Sequence, residues 1–163
     1  MESAALSAKR TRILFVCSGN ICRSPLAEAI FKDEAKRAGL SRRFQVDSAG
    51  THGFHEGDQA DPRTRKVGRK NGLDVDSIAR EVRDSDFDEF DLIVAMDRGH
   101  VRELRARGGD DRHARIRLML EFDPSAKSQD VADPYYGGEA GFDAMYATLV
   151  PACRGLLDAL KDE

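Results

Sequence analysis

The chain has 163 residues and a mass of 18.0 kDa, which is the size of one domain. Its 40% apolar and 34% charged residues exclude a wholly disordered chain, and it has no run of about 18 apolar residues that could span a membrane. The net charge of −3 gives no overall attraction to nucleic acid. The first eight residues lack the apolar core of a secretory signal, and three cysteines are too few for a disulfide framework, so we expect a cytoplasmic protein.

Strand and helix patterns alternate along the chain. Residues 1–10 are predicted to form a flexible tail and residues 11–163 one domain. The domain opens with an apolar strand at 13–16, and a helix over 27–38 follows, with Gly39 as its C-terminal cap. Pro151 should kink the last helix or start a new first turn there. The later predicted elements are a half-exposed strand at 44–49, a basic helix from 62 to 71, an apolar strand at 92–96, a charged helix at 99–107, a strand at 116–120 and a helix at 141–160.

This alternation predicts a single three-layer α/β domain with a parallel sheet and helices on both faces. The two fully apolar strands should be central and the two alternating strands should be edges. With right-handed crossovers, the four-stranded sheet then has the order 2-1-3-4. Ligands bind such sheets where the strand order reverses, at the carboxyl ends of the strands, and Cys17 lies there.

The loop after the first strand carries the strongest chemical signal. Cys17 and Arg23 are separated by five residues, and a helix follows at once with Pro25 in its first turn. Such a loop can turn its N–H groups toward a tetrahedral oxyanion at the helix N-terminus, and a guanidinium matches two phosphate oxygens. We expect Gly19 to adopt the unusual dihedral angles that this curl requires. The predicted phosphate-binding residues are Ser18, Gly19, Asn20, Ile21, Cys22 and Arg23.

The positive field of the helix N-terminus and of Arg23 favours the thiolate of Cys17, which is the nucleophilic form. A thiolate that attacks phosphorus needs an acid to protonate the leaving oxygen. Asp133 qualifies because Asp133-Pro134-Tyr135-Tyr136 lies between the last strand and the last helix, and the two tyrosines could flank an aromatic substrate. Asp130 is the alternative carboxylate.

These motifs resemble those of the low-molecular-weight protein tyrosine phosphatase family. Residues 16–25 are similar to its phosphate loop, and residues 133–136 to its acid loop. Further similarities lie at Ser48-Ala49-Gly50-Thr51, and weaker ones at Asp61-Pro62-Arg63 and Ala95-Met96-Asp97. The resemblance therefore extends from about residue 12 to the C-terminal helix.

The resemblance implies a role for each matching residue. Cys17 would form a phosphocysteine, Arg23 would bind phosphate, and Asp133 would act as general acid and then as base. It implies no metal and no cofactor, and it suggests a reversible Cys17–Cys22 disulfide that protects the nucleophile. Residues that shape the loop would be Asn20, Ser24 and Ser48, and residues that line the substrate would be Ile21, Phe54, Tyr135 and Tyr136.

Three alternative functions remain open. A protein arginine phosphatase resembles the same family, but such enzymes tend to carry threonine at the position of Ile21. A thioredoxin-coupled arsenate reductase needs two further neighbouring cysteines, whereas the only later cysteine is Cys153, which we expect in the core. A non-catalytic phosphate-binding module would not need the combination of Cys17, Arg23 and Asp133.

The expected partner is a phosphotyrosine-containing protein or peptide. Bacterial relatives often act on a tyrosine kinase of exopolysaccharide synthesis, so such a kinase is a candidate substrate, and the protein is expected to be a monomer or weak dimer. We interpret His52 and His55 as exposed loop histidines and the arginine-rich run 98–117 as a solvated face. His100 and His113 have no other metal-binding residues at ligand spacing. The chain has Asn71 and Ser77 where relatives often carry histidine.

Overall fold

The computed structural model describes residues 10–109 and 111–162. All but the last residue of the predicted tail 1–10 therefore lies outside the described residues. The strands are β1 (Thr11–Cys17), β2 (Phe44–Gly50), β3 (Leu92–Ala95) and β4 (Arg115–Leu118). The helices are α1 (Arg23–Arg37), α2 (Pro62–Lys70), α3 (Asp86–Glu89), α4 (Arg98–Gly108) and α5 (Gly138–Leu160), and short 3-10 turns lie at Ser41–Arg43 and Met119–Phe122.

The sheet has the order β2-β1-β3-β4 with every pair parallel, which confirms the predicted fold class and strand order. In β1 the side chains of residues 13 to 16 are fully buried, whereas β4 alternates between exposed and half-buried positions. Burial on both faces requires a central strand, and alternation suits an edge. Cys17 ends β1 opposite Gly50 of β2, so this cysteine lies at the carboxyl edge beside the reversal of strand order.

Two apolar cores cover the two faces of the sheet. On one face Ile13 and Phe15 pack with apolar residues of α1 and α5, including Phe31 and Leu149. On the other face the core of β1 and β3 packs against residues before β3 and in α4, including Phe87 and Leu104. The domain therefore has the three predicted layers, and α1 is held by packing directly behind the loop that carries Cys17.

Three element boundaries differ from the sequence prediction. Helix α1 begins at Arg23, four residues before the apolar pattern that starts at Ala27 and in agreement with Pro25 in its first turn. The predicted strand 116–120 ends at Leu118, because the Leu118 N–H donates to the Glu121 carboxylate and closes a turn. Helix α5 runs through Pro151 without a new start. Pro151 is exposed, so water can satisfy the carbonyl that loses its partner, while buried side chains on both sides hold the helix in place. Within the described residues no helix is long and apolar enough to cross a membrane.

Candidate active site

Cys17 lies at the base of the loop, at the junction of β1 and α1. Only 3% of the residue is exposed, and its Sγ lies 3.0 Å from the hydroxyl of Ser24 in the first turn of α1. The side-chain amide of Asn20 donates to the same hydroxyl at 2.8 Å. Because the amide occupies the oxygen as an acceptor, the Ser24 hydroxyl keeps one proton to donate, and its two acceptors are the sulfur and, at the longer distance of 3.4 Å, the Ala49 carbonyl.

The loop backbone has its carbonyls bonded and its N–H groups unpaired. The carbonyls of Cys17, Ser18 and Ile21 accept from the N–H groups of residues 51, 52 and 61 at 2.9 to 3.1 Å. Across the described ranges 10–109 and 111–162, the N–H groups of Ser18 to Cys22 donate to no acceptor. A run of unpaired backbone donors at a helix N-terminus is an anion-binding site.

The strained residue of this loop is Asn20, with φ of 60°, and not Gly19, so the expectation for Gly19 was wrong. Asparagine tolerates the left-handed region because its short polar side chain bonds locally. Here the Asn20 amide reaches Ser24, and its Oδ1 accepts the N–H of Arg80 at 3.0 Å. Gly19 instead provides space, since a Cβ there would lie 3.0 Å from the His55 ring and 3.2 Å from the His52 ring.

Gly50 allows β2 to approach the loop closely. A Cβ at this position would lie 2.5 Å from the Ser18 carbonyl oxygen and 3.0 Å from the backbone carbon of Gly19. The Gly50 N–H donates to the Arg80 carbonyl, and the Gly50 carbonyl accepts the Val82 N–H. These two bonds hold the segment around Arg80 against the loop. Gly50 lies within a family motif, but its close approach to the loop leaves no local signal, because it joins two chain segments about 30 residues apart.

Arg23 is oriented by groups that the sequence did not identify. Its Nη1 donates to Asp97 at 3.0 Å and to the carbonyl of Val131 at 2.9 Å, while Nη2 lies 3.5 Å from the Ser18 hydroxyl. Its side chain is only 5% exposed, yet it lines the cleft with Cys17. The guanidinium is therefore held by an ion pair before any substrate binds.

His100 lies beside the loop and contacts it, a role that its sequence context does not indicate. Its Nε2 lies 2.8 Å from the Ser18 hydroxyl, and its backbone N–H donates to Asp97 at 2.9 Å. Burial, assisted by the charge of Arg23, lowers the pKa of His100 to about 4 against the opposing effect of Asp97. The imidazole is therefore neutral at neutral pH and supports Ser18 without adding charge.

The two candidate acids have different surroundings. Asp130 forms a paired hydrogen bond with the Arg98 guanidinium and accepts the Arg98 N–H, and these bonds lower the pKa of its carboxyl. Asp133 lines the cleft, with its side chain 52% exposed and its Oδ2 3.7 Å from Arg23. Its Oδ1 accepts the N–H of Tyr135, which holds the carboxyl toward the cleft.

The acid loop is fastened to α2 by Arg63, a residue given no role from the sequence. Arg63 bonds the Asp61 carboxylate, which caps α2, and it donates to the Tyr135 carbonyl at 2.9 Å. Its guanidinium also stacks over the rings of Tyr135 and Phe142, at 5.1 and 4.6 Å from their centroids. These contacts fix the position of the loop that carries Asp133.

The cleft above Cys17 has a volume of about 280 Å³ and aromatic walls from two loops. Phe54 lies beside the His52 ring, with centroids 4.4 Å apart, and Tyr135 meets Tyr136 edge to face at 5.0 Å. Phe54 and Tyr136 are 86% and 93% exposed, which is unusual for large rings unless a partner covers them. The predicted lining residues, including Ile21, are therefore brought together, and His52 and His55 join them half-buried.

The comparison with known proteins decides the family. A family model described as low molecular weight phosphotyrosine protein phosphatase matches residues 12–163. A low molecular weight protein-tyrosine-phosphatase of Streptomyces coelicolor is 45% identical over 155 residues, which are 93% of this chain and 94% of the relative. The chain belongs to the low molecular weight phosphotyrosine protein phosphatase family. It is a protein-tyrosine phosphatase, a hydrolase that acts on phosphotyrosine proteins.

Solved structures agree with membership of this phosphatase family. A protein tyrosine phosphatase from Entamoeba histolytica, with Hepes in its active site, superposes with a TM-score of 0.90 at 46% identity and covers 93% of this chain and 97% of that one. An arginine phosphatase of Drosophila superposes with a TM-score of 0.84 at 31% identity, covering 91% of this chain and 97% of that one.

Ser48 contributes to this phosphatase at a distance from the loop. Its hydroxyl donates to the buried carboxylate of Glu28 at 2.6 Å, and Lys32 bonds the other oxygen of that carboxylate at 2.6 Å. Among the described contacts, Ser48 makes no hydrogen bond to residues 17–24. It therefore fastens α1 to β2, and it acts on the loop only through the position of that helix.

The three cysteines of the phosphatase are free and buried. Burial raises the pKa of Cys22 to about 12, helped by Asp61 and opposed by the nearby Thr64 hydroxyl, so this thiol stays protonated at neutral pH. Cys153 is fully buried against α1, as predicted for a core residue, and burial raises the pKa of its thiol. Within residues 10–109 and 111–162, no cluster of three or more His, Cys, Asp or Glu side chains could hold a metal ion.

Proposed function

We propose that Cys17 carries the phosphoryl group during phosphotyrosine hydrolysis. The Cys17 thiolate attacks phosphorus, the bond from phosphorus to the phenolic oxygen breaks, and Asp133 gives its proton to that oxygen. The products of this step are a free tyrosine side chain and a phosphocysteine. Support comes from the unpaired N–H groups of Ser18 to Cys22, which offer donors to the phosphoryl oxygens directly above the sulfur.

The second step regenerates the enzyme. The Asp133 carboxylate takes a proton from water, the water oxygen attacks phosphorus, and the bond between phosphorus and Sγ breaks with its electron pair returning to sulfur. The Ser24 hydroxyl, 3.0 Å from the sulfur, stabilises the departing thiolate. Arg23 neutralises charge on the phosphoryl oxygens in both steps, and Asp97 keeps its fork in position.

The substrate class follows from the cleft. Its volume of about 280 Å³ and its exposed aromatic walls suit a phenyl phosphate that projects from a protein surface. An autophosphorylated bacterial tyrosine kinase is a substrate of this kind, and we propose it as a physiological target. Phe54 and Tyr136 would contact the phenyl ring of the substrate from two sides, and Ile21 would pack against it from the loop.

The decisive experiment is steady-state hydrolysis of p-nitrophenyl phosphate by the wild type and three variants. Cys17→Ser should abolish turnover while vanadate still binds, measured by calorimetry. Asp133→Asn should lower kcat by about 10²–10³-fold, with a larger loss for poorer leaving groups. Asp130→Asn is the matched control and should stay within about threefold of wild type, since that carboxylate bonds Arg98. Wild-type turnover by Cys17→Ser would refute the covalent mechanism.

We also propose that Cys22 protects Cys17 from irreversible oxidation. Peroxide converts the Cys17 thiolate to a sulfenic acid, and the Cys22 thiol then attacks that sulfur and releases water, which leaves a disulfide. The second thiol lies in the same loop, and its raised pKa keeps it protonated, so it reacts slowly with peroxide and remains available to form the disulfide. Such a device needs a reducing compartment, which agrees with the cytoplasmic location that we propose.

Peroxide treatment followed by dithiothreitol tests this role of Cys22. The wild type should recover most of its activity, and Cys22→Ser should recover little because its nucleophile oxidises further. Cys153→Ser is the control and should recover as the wild type does. Equal recovery by all three proteins would contradict the protective role.

A further inference from the structure

A second groove lies beside α4 and the edge strand β4. It is lined by Arg98, Arg102 and Arg105 of α4 and by residues 116–118 of β4, and we call it the arginine groove. Its volume of about 390 Å³ exceeds that of the catalytic cleft, and its apolar floor includes Val101 and Ile116. A basic rim over an apolar floor can bind the aliphatic parts of a peptide's side chains as well as its charged groups.

The charge of the arginine groove is not balanced locally. The chain has a net charge of −3, yet residues 98–117 contain seven arginines and three acidic residues. Arg98 pairs with Asp130 and Arg117 pairs with Glu121. The guanidinium groups of Arg102 and Arg105 form no hydrogen bond or ion pair with any described residue. Two exposed cations next to each other favour an anionic ligand that brings its own carboxylates.

The arginine groove is within reach of a substrate held at Cys17. In the sheet register Leu118 lies level with Ala95, and Ala95 lies level with Val16, the residue before Cys17. Neighbouring strands are about 4.8 Å apart, so β4 lies roughly 10 Å from β1. An extended peptide rises about 3.3 Å per residue, so about three residues cover that separation and about six cover twice that distance.

We propose that the arginine groove binds an acidic segment of the phosphoprotein substrate, next to its phosphotyrosine. The inference rests on the proposed function, because the segment is placed by a phosphotyrosine bound over Cys17. The carboxylates of Asp and Glu side chains in that segment pair with Arg102 and Arg105, while the aliphatic parts of its side chains pack on Val101 and Ile116. The phosphatase therefore selects phosphotyrosines in acidic sequence contexts.

The test compares kcat/KM for two phosphotyrosine peptides and p-nitrophenyl phosphate. The peptides differ only in having Glu or Gln three to six residues away on both sides of the phosphotyrosine. The wild type should prefer the acidic peptide about five- to tenfold at 50 mM salt, and the preference should fall at 0.5 M salt. The double variant Arg102→Glu/Arg105→Glu should lose this preference and keep its activity on p-nitrophenyl phosphate.

The double variant Arg42→Glu/Arg69→Glu is the control, since it makes the same charge change at exposed arginines outside the groove. It should keep the preference for the acidic peptide. Hydrolysis of both peptides at equal rates by the wild type would overturn the docking proposal and leave the phosphatase function standing. Inactivity of the wild type on all three substrates would instead refute the proposed function. Binding to vesicles with 30% phosphatidylserine that depends on Arg102 and Arg105, without any peptide preference, would also overturn the proposal.

Discussion

Gly50→Ala is expected to impair catalysis because it pushes the phosphate loop away from β2. The added Cβ would lie 2.5 Å from the Ser18 carbonyl oxygen, and contacts below 3.0 Å are essentially never observed, so the loop must retreat by about half an ångström. The obstacle is backbone, so no side-chain rotation relieves it. A displacement of about 1 Å in an active site can cost about 10²-fold in rate, so we expect kcat/KM for p-nitrophenyl phosphate to fall at least about tenfold.

Gly72→Ala is the matched control for this substitution. Gly72 has φ of +77° with nothing within 4 Å of its missing Cβ, so alanine there strains the backbone without touching the loop. It should lower the free energy of unfolding by about 1 kcal/mol and leave kcat unchanged. Urea denaturation and steady-state kinetics on both variants separate the two effects. If Gly50→Ala kept wild-type kcat/KM and vanadate affinity, the close approach of β2 would not position the loop.

Three further predictions follow from the contacts around the loop. His100 has a pKa of about 4 in the folded protein and about 6.5 in the unfolded chain. The unfolded chain therefore binds protons more readily, and the free energy of unfolding falls as the pH drops from about 6.5 to 4. Urea titrations at pH 7 and 4.5 measure this fall in the free energy of unfolding. The fall should be about 2 kcal/mol smaller in His100→Gln than in the wild type, and equal falls in both proteins would contradict a buried neutral imidazole. Arg80→Met should lower the free energy of unfolding, measured in urea, by about 3 kcal/mol, because it leaves the buried Asp86 carboxylate without its cation. A loss below about 1 kcal/mol would show that water reaches that carboxylate. Ile21→Thr should shift the ratio of kcat/KM for phosphotyrosine and phosphoarginine peptides toward phosphoarginine by removing apolar contact with the phenyl ring, and an unchanged ratio would show that Ile21 does not set specificity.

The residues that we propose to act on substrate could be identified from local sequence because their signals are local. Cys17, Arg23 and the start of α1 lie within one short segment, and Asp133 lies beside Pro134 in a loop between two elements. The residues that hold them are remote in sequence and have no pattern of their own. Asp97 bonds Arg23 across 74 residues, and His100 reaches Ser18 across 82.

The dihedral strain at Asn20 was also beyond prediction from the sequence. Glycine is the usual residue at positive φ, so Gly19 was the natural choice. Asn20 takes the strain because both ends of its side chain find partners, and one of them, the N–H of Arg80, is 60 residues away. The partner exists only once the segment around Arg80 has packed beside Gly50.

The sequence alone determined the order of the strands, since burial on one or two faces leaves a periodic pattern in the chain. It also located the loop that carries Cys17 and Arg23, since that loop is one contiguous segment. Tertiary structure alone decided which groups orient Arg23 and Ser18 and which arginines remain without partners. Those properties depend on distances between segments that only folding brings together, and hydrogen bonds and ion pairs act over a few ångströms of space, regardless of separation along the chain.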